Sequence, residues 1–461
     1  MSLTPQRLVE HALDTTRSDG CVVLLSASTN ANLRWANNTL TTNGMIQRTT
    51  ATVIATKDGA EGTAAGVISG SATSSDQIAE LVEAADAAAA GAEPAEDAQS
   101  LASGDAAPDW AEPPERTSIQ VFDEFAPALG EALGRAGGAN RVLYGYVEHD
   151  MTTTYVGSST GLRVRHVQPS GHVGVTGKDS ERTRSAWVGQ ATRDFSDVDA
   201  LAIESELARR LDWAARQVEL PAGRYDTVLP PTAVADLMIY MYWSASARDA
   251  FEGRSVFSRP GGGTKVGTTL SSRRMRLWSD PAMPGIECSP VVVAPRSTSE
   301  LSVFDNGLPV APTNWIEGGV LRSLLQTRHS AELTSLPHTP AIDNLAMTVD
   351  DATGSVDDLV AGVRRGLLLT CLWYIREVDP QTLLMTGLTR DGVYLVEDGE
   401  VTGAVNNFRF NESPVDMLDR FDEAGATVPA FSREWGDYFP RTAMPPLRVP
   451  GFNMSSVSQA S

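Results

Sequence analysis

Two Asp-Gly pairs frame a short apolar run in the last third of the chain, and they constrain the fold more than any other stretch. Asp391-Gly392 and Asp398-Gly399 stand on either side of Val393–Glu397, within the segment GLTRDGVYLVEDGEVTGAVNNFRF at residues 387–410. Asp-Gly between apolar runs is a strong sign of a tight hairpin turn, because the central residues of that turn need positive φ. The sequence therefore predicts antiparallel strands here and a C-terminal region rich in β-structure.

The segment from Thr232 to Phe251, TAVADLMIYMYWSASARDAF, has the pattern of a single helix. Pro230 and Pro231 stop the preceding structure, and Thr232 is suited to cap the helix because its hydroxyl can accept a backbone N–H. Asp236 falls near the positive end of that helix. The apolar side chains recur at the helical period and predict one buried face, made of Val234, Leu237, Met238, Met241 and Ala245. The segment contains no histidine and no glutamate.

Composition limits the class of protein and of partner. The chain has 461 residues, 42% hydrophobic and 21% charged, which is enough for two or three globular domains. Its net charge of −21 argues against nucleic acid and anionic membranes as partners, because binding phosphate requires a basic surface. Cys21, Cys288 and Cys371 are few and far apart, which predicts reduced thiols in a cytoplasmic protein. No apolar run is long enough to cross a membrane.

Composition and turn signals divide the chain into two predicted domains. An N-terminal α/β domain covers residues 1–218, and a β-rich C-terminal domain covers residues 219–461, with Leu220–Gly223 as the linker. Residues 91–116 are rich in Ala, Glu, Asp and Pro. They are predicted to form a mobile acidic loop, because such a composition buries too little apolar surface to offset ordering.

Local signals within these domains predict individual elements. Capping residues at Ser74 and Ser355 predict helix starts. Strands are predicted, among other places, at Trp35–Leu40, Ser302–Asn306 and Leu367–Ile375, with a hairpin turn at Lys57–Gly59.

Two histidines of the N-terminal half have a spacing that could bind a metal. His166 and His172 lie six residues apart across a Pro-Ser-Gly turn, so both could reach one ion from adjacent strands. No cysteine or carboxylate nearby completes a ligand set of the kind that zinc requires. We therefore interpret these residues, and His149, as hydrogen-bonded histidines.

Short motifs are spread over both halves of the chain. The C-terminal half contains MTGLTRDGVYLVEDGEV, FDNGLPV followed by NWIEGGVLRSLLQTRHSA, and GRSVFS just after the predicted helix; the N-terminal half contains ANNTL and GAEGTAAGVISG. In these motifs the chain resembles the TldD/TldE (also called PmbA) peptidases. The resemblance implies an α+β, two-domain fold, with an N-terminal α/β domain and a C-terminal domain dominated by an extended, mostly antiparallel β-sheet. It also implies paired homologous subunits that enclose a cavity where unfolded peptides are cut.

The zinc motif of that family is missing from this chain. The resemblance places HExxxH of the catalytic subunit on the helix that corresponds to Thr232–Phe251, with a C-terminal cysteine as a further ligand. Two imidazoles and a thiolate would hold Zn²⁺, and the glutamate would take a proton from the bound water. Here the helix offers Tyr240, Tyr242, Trp243, Ser244 and Ser246 instead, and no cysteine follows Cys371. The resemblance therefore implies a TldE/PmbA-like subunit without a cofactor, and zinc in an HExxxH-bearing TldD-like partner.

The leading functional hypothesis is a non-catalytic subunit of a heterodimeric zinc metallopeptidase that cleaves unfolded peptides or matures peptide-derived substrates. An extended peptide can pair with the edge of a strand such as Val393–Glu397. The candidate substrate-channel residues are Tyr240, Trp243, Arg390, Val393, Tyr394 and Leu395.

Two other classes of function stay open. One is a metal-independent hydrolase, for which Cys371, Ser244, His329 and His338 are available, although no GxSxG motif occurs. The other is a catalytically inert peptide-binding homodimer of the same fold, acting in natural-product biosynthesis.

Overall fold

The N-terminal half of the protein is built on one antiparallel sheet of six strands. The computed structural model describes residues 3–458, so the outer ends of the two predicted domains, residues 1–2 and 459–461, lie outside the described residues. The sheet has the order β3-β2-β1-β4-β5-β6. Its strands are β1 Gly20–Ala36, β2 Thr39–Gly59, β3 Gly62–Ser71, β4 Arg141–Ser158, β5 Arg163–Asp179 and β6 Ser185–Thr192.

Four helices cover one face of this sheet: α1 Pro5–Thr15, α2 Ser75–Gly91, α3 Phe125–Gly138 and α4 Ala200–Trp213. A 3-10 turn at Ile119–Phe122 precedes α3. Alternate residues of β1 point at the helices, with Val23 and Leu25 packed against α1 and α2, and Leu33 and Trp35 packed against α3. The opposite face of β1 packs against Phe304 of the C-terminal half. The period-2 alternation of β1 therefore separates a helix-covered face from a face that meets the rest of the chain.

The β1–β2 hairpin turns at Asn37 and Asn38, whose φ values are 50° and 58°. The prediction of a strand at Trp35–Leu40 is therefore wrong. Asparagine tolerates the left-handed conformation that a two-residue hairpin turn needs, so the chain reverses in the middle of that segment. The turn predicted at Lys57–Gly59 is also misplaced, because β2 continues to Gly59, which pairs with Gly62.

The C-terminal half contains a larger, mostly antiparallel sheet. Its strands run in the order β14-β15-β18-β22-β8-β13-β16-β17-β7, with β19 attached to β22. They are β7 Gln217–Val218, β8 Gly223–Leu229, β13 Arg365–Leu369, β14 Leu372–Asp379, β15 Leu384–Thr389, β16 Val393–Glu397, β17 Glu400–Val405, β18 Phe408–Glu412, β19 Glu423–Ala424 and β22 Leu447–Val457. The two Asp-Gly pairs flank β16, and Asp398-Gly399 makes the β16–β17 turn with positive φ at both residues, as predicted.

A second sheet of six short strands completes this half, in the order β11-β10-β9-β12-β21-β20. Its members are β9 Met275–Ser279, β10 Thr313–Glu317, β11 Val320–Leu321, β12 Leu345–Val349, β20 Val428–Ala430 and β21 Thr442–Met444. The helices of this half are α5 Pro231–Trp243, α6 Ala247–Phe251, α7 Arg328–Thr334, α8 Val356–Ala361 and α9 Pro414–Arg420. The mixed α+β fold predicted from the sequence is confirmed.

Two predicted C-terminal strands are wrong. Leu367–Ile375 is divided between β13 and β14, because the chain leaves β13 at Thr370, where its amide bonds to the carbonyl of Gly392, and starts a separate strand after Cys371. Ser302–Asn306 is instead a 3-10 turn at Val303–Asp305, capped by the Ser302 hydroxyl. No helix between residues 3 and 458 is long and apolar enough to cross a membrane.

The segment 92–116 has irregular structure but packs closely against the first sheet. The amide of Ala107 donates to the carbonyl of Arg163, and the Tyr155 hydroxyl donates to the carbonyl of Glu112 at 2.8 Å. The indole of Trp110 meets the Tyr155 ring edge-on at 5.5 Å. Most residues of the segment are exposed, but these backbone groups and one tryptophan tie it to the sheet; its mobility stays a prediction.

The chain passes from the first sheet to the large one between α4 and β8. The two-residue strand β7 already pairs with β17 in the C-terminal sheet. The amide of Leu220 donates to the Asn406 side chain at 2.7 Å, so the predicted linker is hydrogen-bonded to the C-terminal half. The division near residue 218 stays a prediction.

Candidate functional site

Helix α5 is buried on nearly every side. Pro230 is its N-cap residue and Pro231 occupies its first turn, where the missing N–H costs no hydrogen bond. All residues from Ala233 to Ile239 are fully buried, because α9 and strands of both C-terminal sheets pack around the helix. The predictions of a single buried face and of a Thr232 cap are therefore wrong. The Thr232 hydroxyl lies 3.5 Å from the carbonyl of Thr370.

The predicted single helix is two helices with a break at residues 244–246. The carbonyl of Ala245 accepts from the amide of Leu325, and the amide of Ala247 donates to the carbonyl of Leu325. Helix α6 then restarts with the Ser246 hydroxyl as its cap, accepting from the amide of Asp249. Pairing with the chain at residue 325 replaces the helical hydrogen bonds here, so the 232–251 segment bends where the sequence pattern predicted continuity.

The side chains of α5 do not provide a zinc site. Restoring HExxxH would require histidines at Tyr240 and Ala245 and a glutamate at Met241, and both Met241 and Ala245 lie in the apolar core. Across residues 3–458, no group of three or more His, Cys, Asp or Glu side chains is placed to hold a metal. The residues present do not fit the zinc that the family resemblance places in the catalytic subunit.

The three cysteines are buried and unpaired. Burial raises the pKa of Cys21 and of Cys288 to about 12, and burial likewise raises the pKa of Cys371. A thiol must lose its proton to bind a metal or attack a carbonyl. None of the three is therefore prepared for either role in this fold.

The three histidines of the first sheet, His149, His166 and His172, each contact different residues. His149 lies 2.7 Å from the Thr117 hydroxyl and 2.8 Å from the carbonyl of Arg193. His166 bonds to Gln168, whereas the ring of His172 stacks on Phe431 at 5.0 Å.

The candidate nucleophiles and histidines of a metal-independent hydrolase do not contact one another either. His329 lies 3.8 Å from Glu96, and His338 lies 3.6 Å from Asp305. The hydroxyl of Ser244, just after α5, donates to the carbonyl of Tyr240 in the last turn of that helix. Among the described side chains no hydrogen bond joins Ser244 or Cys371 to a histidine, so no nucleophile–base pair is formed.

A buried carboxyl ties α5 to the chain that follows β20. Asp236 is fully buried, and its Oδ1 accepts from the Ser432 hydroxyl at 2.5 Å and from the amide of Glu434 at 2.9 Å. The indole N–H of Trp435 donates to the backbone carbonyl of Asp236. Burial raises the pKa of Asp236 to about 7, although these hydrogen bonds act in the opposite direction. Asp236 thus anchors residues 432–435 rather than serving the helix terminus.

Anchoring this segment shapes a cleft at the C-terminal end of α5. The cleft encloses about 460 Å³. Its mostly apolar wall includes Trp243, Val291, Leu301, Ile342, Tyr438 and Phe439, and its polar side chains include Arg296, Glu300 and Asp343. The Tyr242 hydroxyl fixes one wall, because it accepts from the amide of Ile342 at 2.7 Å and donates to the carbonyl of the same residue. A mostly apolar concavity with a few polar groups is typical of a binding site.

The structure brings two of the six predicted channel residues together. Tyr240 and Trp243 both pack against Trp435, with ring centroids 5.7 and 5.4 Å apart, and Trp243 also lines the cleft. Arg390 lies elsewhere, with its guanidinium 5.6 Å from the centre of the Trp373 ring.

The other three candidates are inside the large sheet. Val393, Tyr394 and Leu395 are buried, and β16 is paired on one side with β13 and on the other with β17. The expectation that Val393–Glu397 offers a free edge to a peptide is therefore wrong. The strand has its antiparallel hairpin partner β17, as predicted, but β13 takes the second edge.

Several residues of the cleft were not predicted from the sequence. Tyr438, Arg296 and Ile342 come from irregular segments between short elements. Periodicity identifies faces of helices and strands, and it has no meaning for residues that meet from three separate loops. The large exposed area of Tyr438, 76%, is evident only in the fold.

Comparisons with known proteins agree with this architecture. Residues 222–456, just over half of the chain, match the family model described as "PmbA/TldA metallopeptidase C-terminal domain". No curated protein matches the sequence.

Solved structures match nearly the whole chain. TldE from Thermococcus kodakarensis is 17% identical with a TM-score of 0.76, covering 97% of this chain and 99% of its own. A "putative modulator of a DNA gyrase" from Thermotoga maritima is 16% identical with a TM-score of 0.74, covering 97% and 98%. A "putative modulator of DNA gyrase" from Bacteroides thetaiotaomicron is 15% identical with a TM-score of 0.73, covering 98% of each chain. At this identity the structures show a shared fold, and together with the family model they show that the chain belongs to the TldD/TldE (PmbA) family.

Proposed function

We propose that this chain is the non-catalytic, TldE/PmbA-like subunit of a TldD/TldE-type zinc peptidase. One observation carries the proposal: the helix on which the family resemblance places the zinc motif is a core helix here, with Met241 and Ala245 packed among apolar side chains. A histidine pair and a carboxylate would have to enter that core, and burying them without partners is costly. The zinc and the catalytic glutamate are accordingly assigned to an HExxxH-bearing paralogue that forms a heterodimer with this chain.

In this proposal the subunit contributes substrate binding rather than chemistry. The cleft beside Trp243 offers an apolar wall and the Arg296 guanidinium at one position, which suits an extended, unfolded peptide with a large apolar side chain. Peptides that mature into other products are included in this substrate class. We further propose a cytoplasmic location, since the three cysteines are free thiols.

The test compares each purified chain with the co-expressed pair. The paralogue is taken from the same genome, and cleavage of an unstructured peptide is followed with and without a chelator. We expect no cleavage by this chain alone and chelator-sensitive cleavage by the pair. Chelator-sensitive hydrolysis by this chain alone would overturn the proposal, as would the failure of the two chains to associate.

A matched pair of tryptophan variants tests the cleft. Trp243→Ala removes an aromatic wall of the cleft, whereas Trp278→Ala removes a half-buried tryptophan of β9 outside it. We expect Trp243→Ala to raise the KM of the complex for the peptide, and Trp278→Ala to leave it unchanged. Equal effects of the two variants on KM, in complexes of equal stability, would mean that the cleft does not bind substrate.

A further inference from the structure

Half of strand β2 has an unpaired edge. Strand β1 pairs with β2 from Thr39 to Thr56. On the other side β3 pairs with β2 only from Thr50 onwards. No other strand within the described residues pairs with 39–49, so the outward backbone N–H and C=O groups of this segment have no strand partner; only the carbonyl of Thr49, at its end, accepts from the amide of Ala72. We call residues 39–49 the open edge.

The open edge lacks most of the usual protection of edge strands; its one irregularity is at Thr41, where the pairing with β1 shifts by one residue. Leu40, Met45 and Ile46 are 50%, 50% and 43% exposed. Residues 37–47, NNTLTTNGMIQ, include no charged residue and no proline, in a chain of net charge −21. Soluble proteins generally guard long edges with charges, proline or bulges, because a bare edge pairs with other chains.

Another edge of the same protein shows that contrast. Strand β14 lies at the end of the large sheet, and it carries Arg376, Glu377 and Asp379 among its exposed or half-exposed residues. Two large apolar side chains, Tyr374 and Val378, are exposed there too, yet charges accompany them. The open edge therefore differs from the β14 edge in having no charged side chains between residues 37 and 47.

The open edge is held in position by its hairpin turn. The Asn38 side chain accepts from the amide of Leu143 at 2.7 Å and donates to the carbonyl of Arg141 at 2.8 Å. The Tyr144 hydroxyl donates to the side chain of Asn37 at 2.5 Å. Three contacts with β4 thus fix the tip of the hairpin, so an approaching strand would meet a preformed edge at low entropic cost.

We propose that the open edge is the strand through which this chain pairs, antiparallel, with the corresponding strand of its paralogous partner subunit. The inference rests on the proposed function for the existence of that partner. A partner of the same fold presents the same kind of hairpin, so the two edges can join the first sheets of both subunits into one. Neither the cleft nor any other site described above includes residues 39–49, which argues against a peptide substrate as the occupant.

Electrostatics favours this segment as the meeting point. This chain has a net charge of −21, so most of its surface would repel a partner that is also acidic. The stretch 37–47 carries no charge, and Arg48 at its end is positive. Backbone hydrogen bonds and contacts of Leu40, Met45 and Ile46 can therefore form there without burying unpaired carboxylates.

Amide hydrogen exchange of the complex tests the pairing directly. The free chain and the co-purified heterodimer are compared at equal protein concentration by mass spectrometry. We expect amides of residues 39–49 to become protected in the heterodimer, and those of β14, residues 372–379, to keep their exchange rates. A heterodimer in which residues 39–49 exchange as in the free chain would overturn this inference and leave the proposed function standing. If the two chains form no heterodimer, the proposed function and the inference about residues 39–49 both fail.

Paired lysine variants supply the second measurement. Met45→Lys with Ile46→Lys places charges on both faces of the open edge, and Tyr374→Lys with Val378→Lys places two charges at exposed positions of β14. All four side chains are exposed, so both variants should fold and melt like the parent chain. We expect the first variant to weaken the heterodimer at least about tenfold and the second to leave its Kd unchanged. Equal Kd values for both would place the interface elsewhere.

Discussion

Asp236 is expected to make the protein lose stability as pH rises through the weakly acidic range. Its carboxyl is fully buried on α5, and Oδ2 has no hydrogen-bond partner while Oδ1 has two. Burial disfavours the charged form and raises the pKa of Asp236 from about 3.8 to about 7 in the native state. Between those two pH values the native carboxyl keeps a proton that the unfolded chain has released.

The size of the effect follows from that difference in pKa. Stability falls with pH wherever the native state binds more protons than the unfolded state. Each unit of difference corresponds to about 1.4 kcal/mol, so a difference of about 3 units gives a loss on the order of 4 kcal/mol. The loss accumulates between about pH 4 and pH 7 and is constant above the native pKa.

Asp236→Asn isolates this contribution. Asparagine keeps an acceptor for Ser432 and for the amide of Glu434 but cannot ionise. We expect the variant to gain stability relative to the parent chain as pH rises from 5 to 8, measured by urea unfolding with tryptophan fluorescence. The exposed Asp14→Asn change is the control, and its effect should be the same at both pH values. The reasoning is refuted if the difference in unfolding free energy between Asp236→Asn and the parent chain is the same at pH 5 as at pH 8.

Three further perturbations have defined outcomes. Combining Tyr240→His, Met241→Glu and Ala245→His should give a destabilised protein without bound zinc, because a buried carboxylate lacks partners there; a folded variant with one zinc per chain would contradict this. Tyr394→Pro should cost about 3 kcal/mol or more, because β16 is paired on both sides; an unchanged denaturation midpoint would show otherwise. Replacing residues 105–117 by a Gly/Ser segment of equal length should lower the melting temperature, since the Trp110 ring contact and the side-chain hydrogen bonds of Asp109 and Thr117 are lost; an unchanged melting curve would mean that these contacts contribute no stability.

Local signals predicted the elements that depend on adjacent residues. The capping box at Ser355 forms with Asp358 as predicted, and helix α2 begins directly after Ser74, whose hydroxyl accepts from the amide of Gln77. Both depend on hydrogen bonds between residues three apart. The β16–β17 hairpin likewise follows from the φ preference of Asp398-Gly399.

Contacts between distant parts of the chain decided the elements that the sequence did not predict. The 232–251 helix breaks because residue 325 pairs with its backbone, and the strand 393–397 has no free edge because β13, from earlier in the chain, lies beside it. The acidic segment 91–116 has few large apolar residues, yet Trp110 contacts Tyr155 and Leu101 packs against a cluster formed by both halves of the chain. Composition predicts average burial and cannot locate a single long-range contact.

The candidate site was predictable in its chemistry and less so in its geometry. The lack of His and Glu on the 232–251 segment follows from the sequence, and the structure adds that the corresponding positions are in the core. The cleft beside Trp243 was not predicted as a whole, because its other walls come from irregular segments around residues 296, 342 and 438.

The most direct test of the account is the zinc content of each subunit in the co-expressed pair. Native mass spectrometry of the intact complex gives its stoichiometry, and separation of the subunits under mild conditions shows which chain retains the metal. The account predicts one zinc per heterodimer, found with the HExxxH-bearing paralogue and absent from this chain. Zinc that stays with this chain after separation would contradict it.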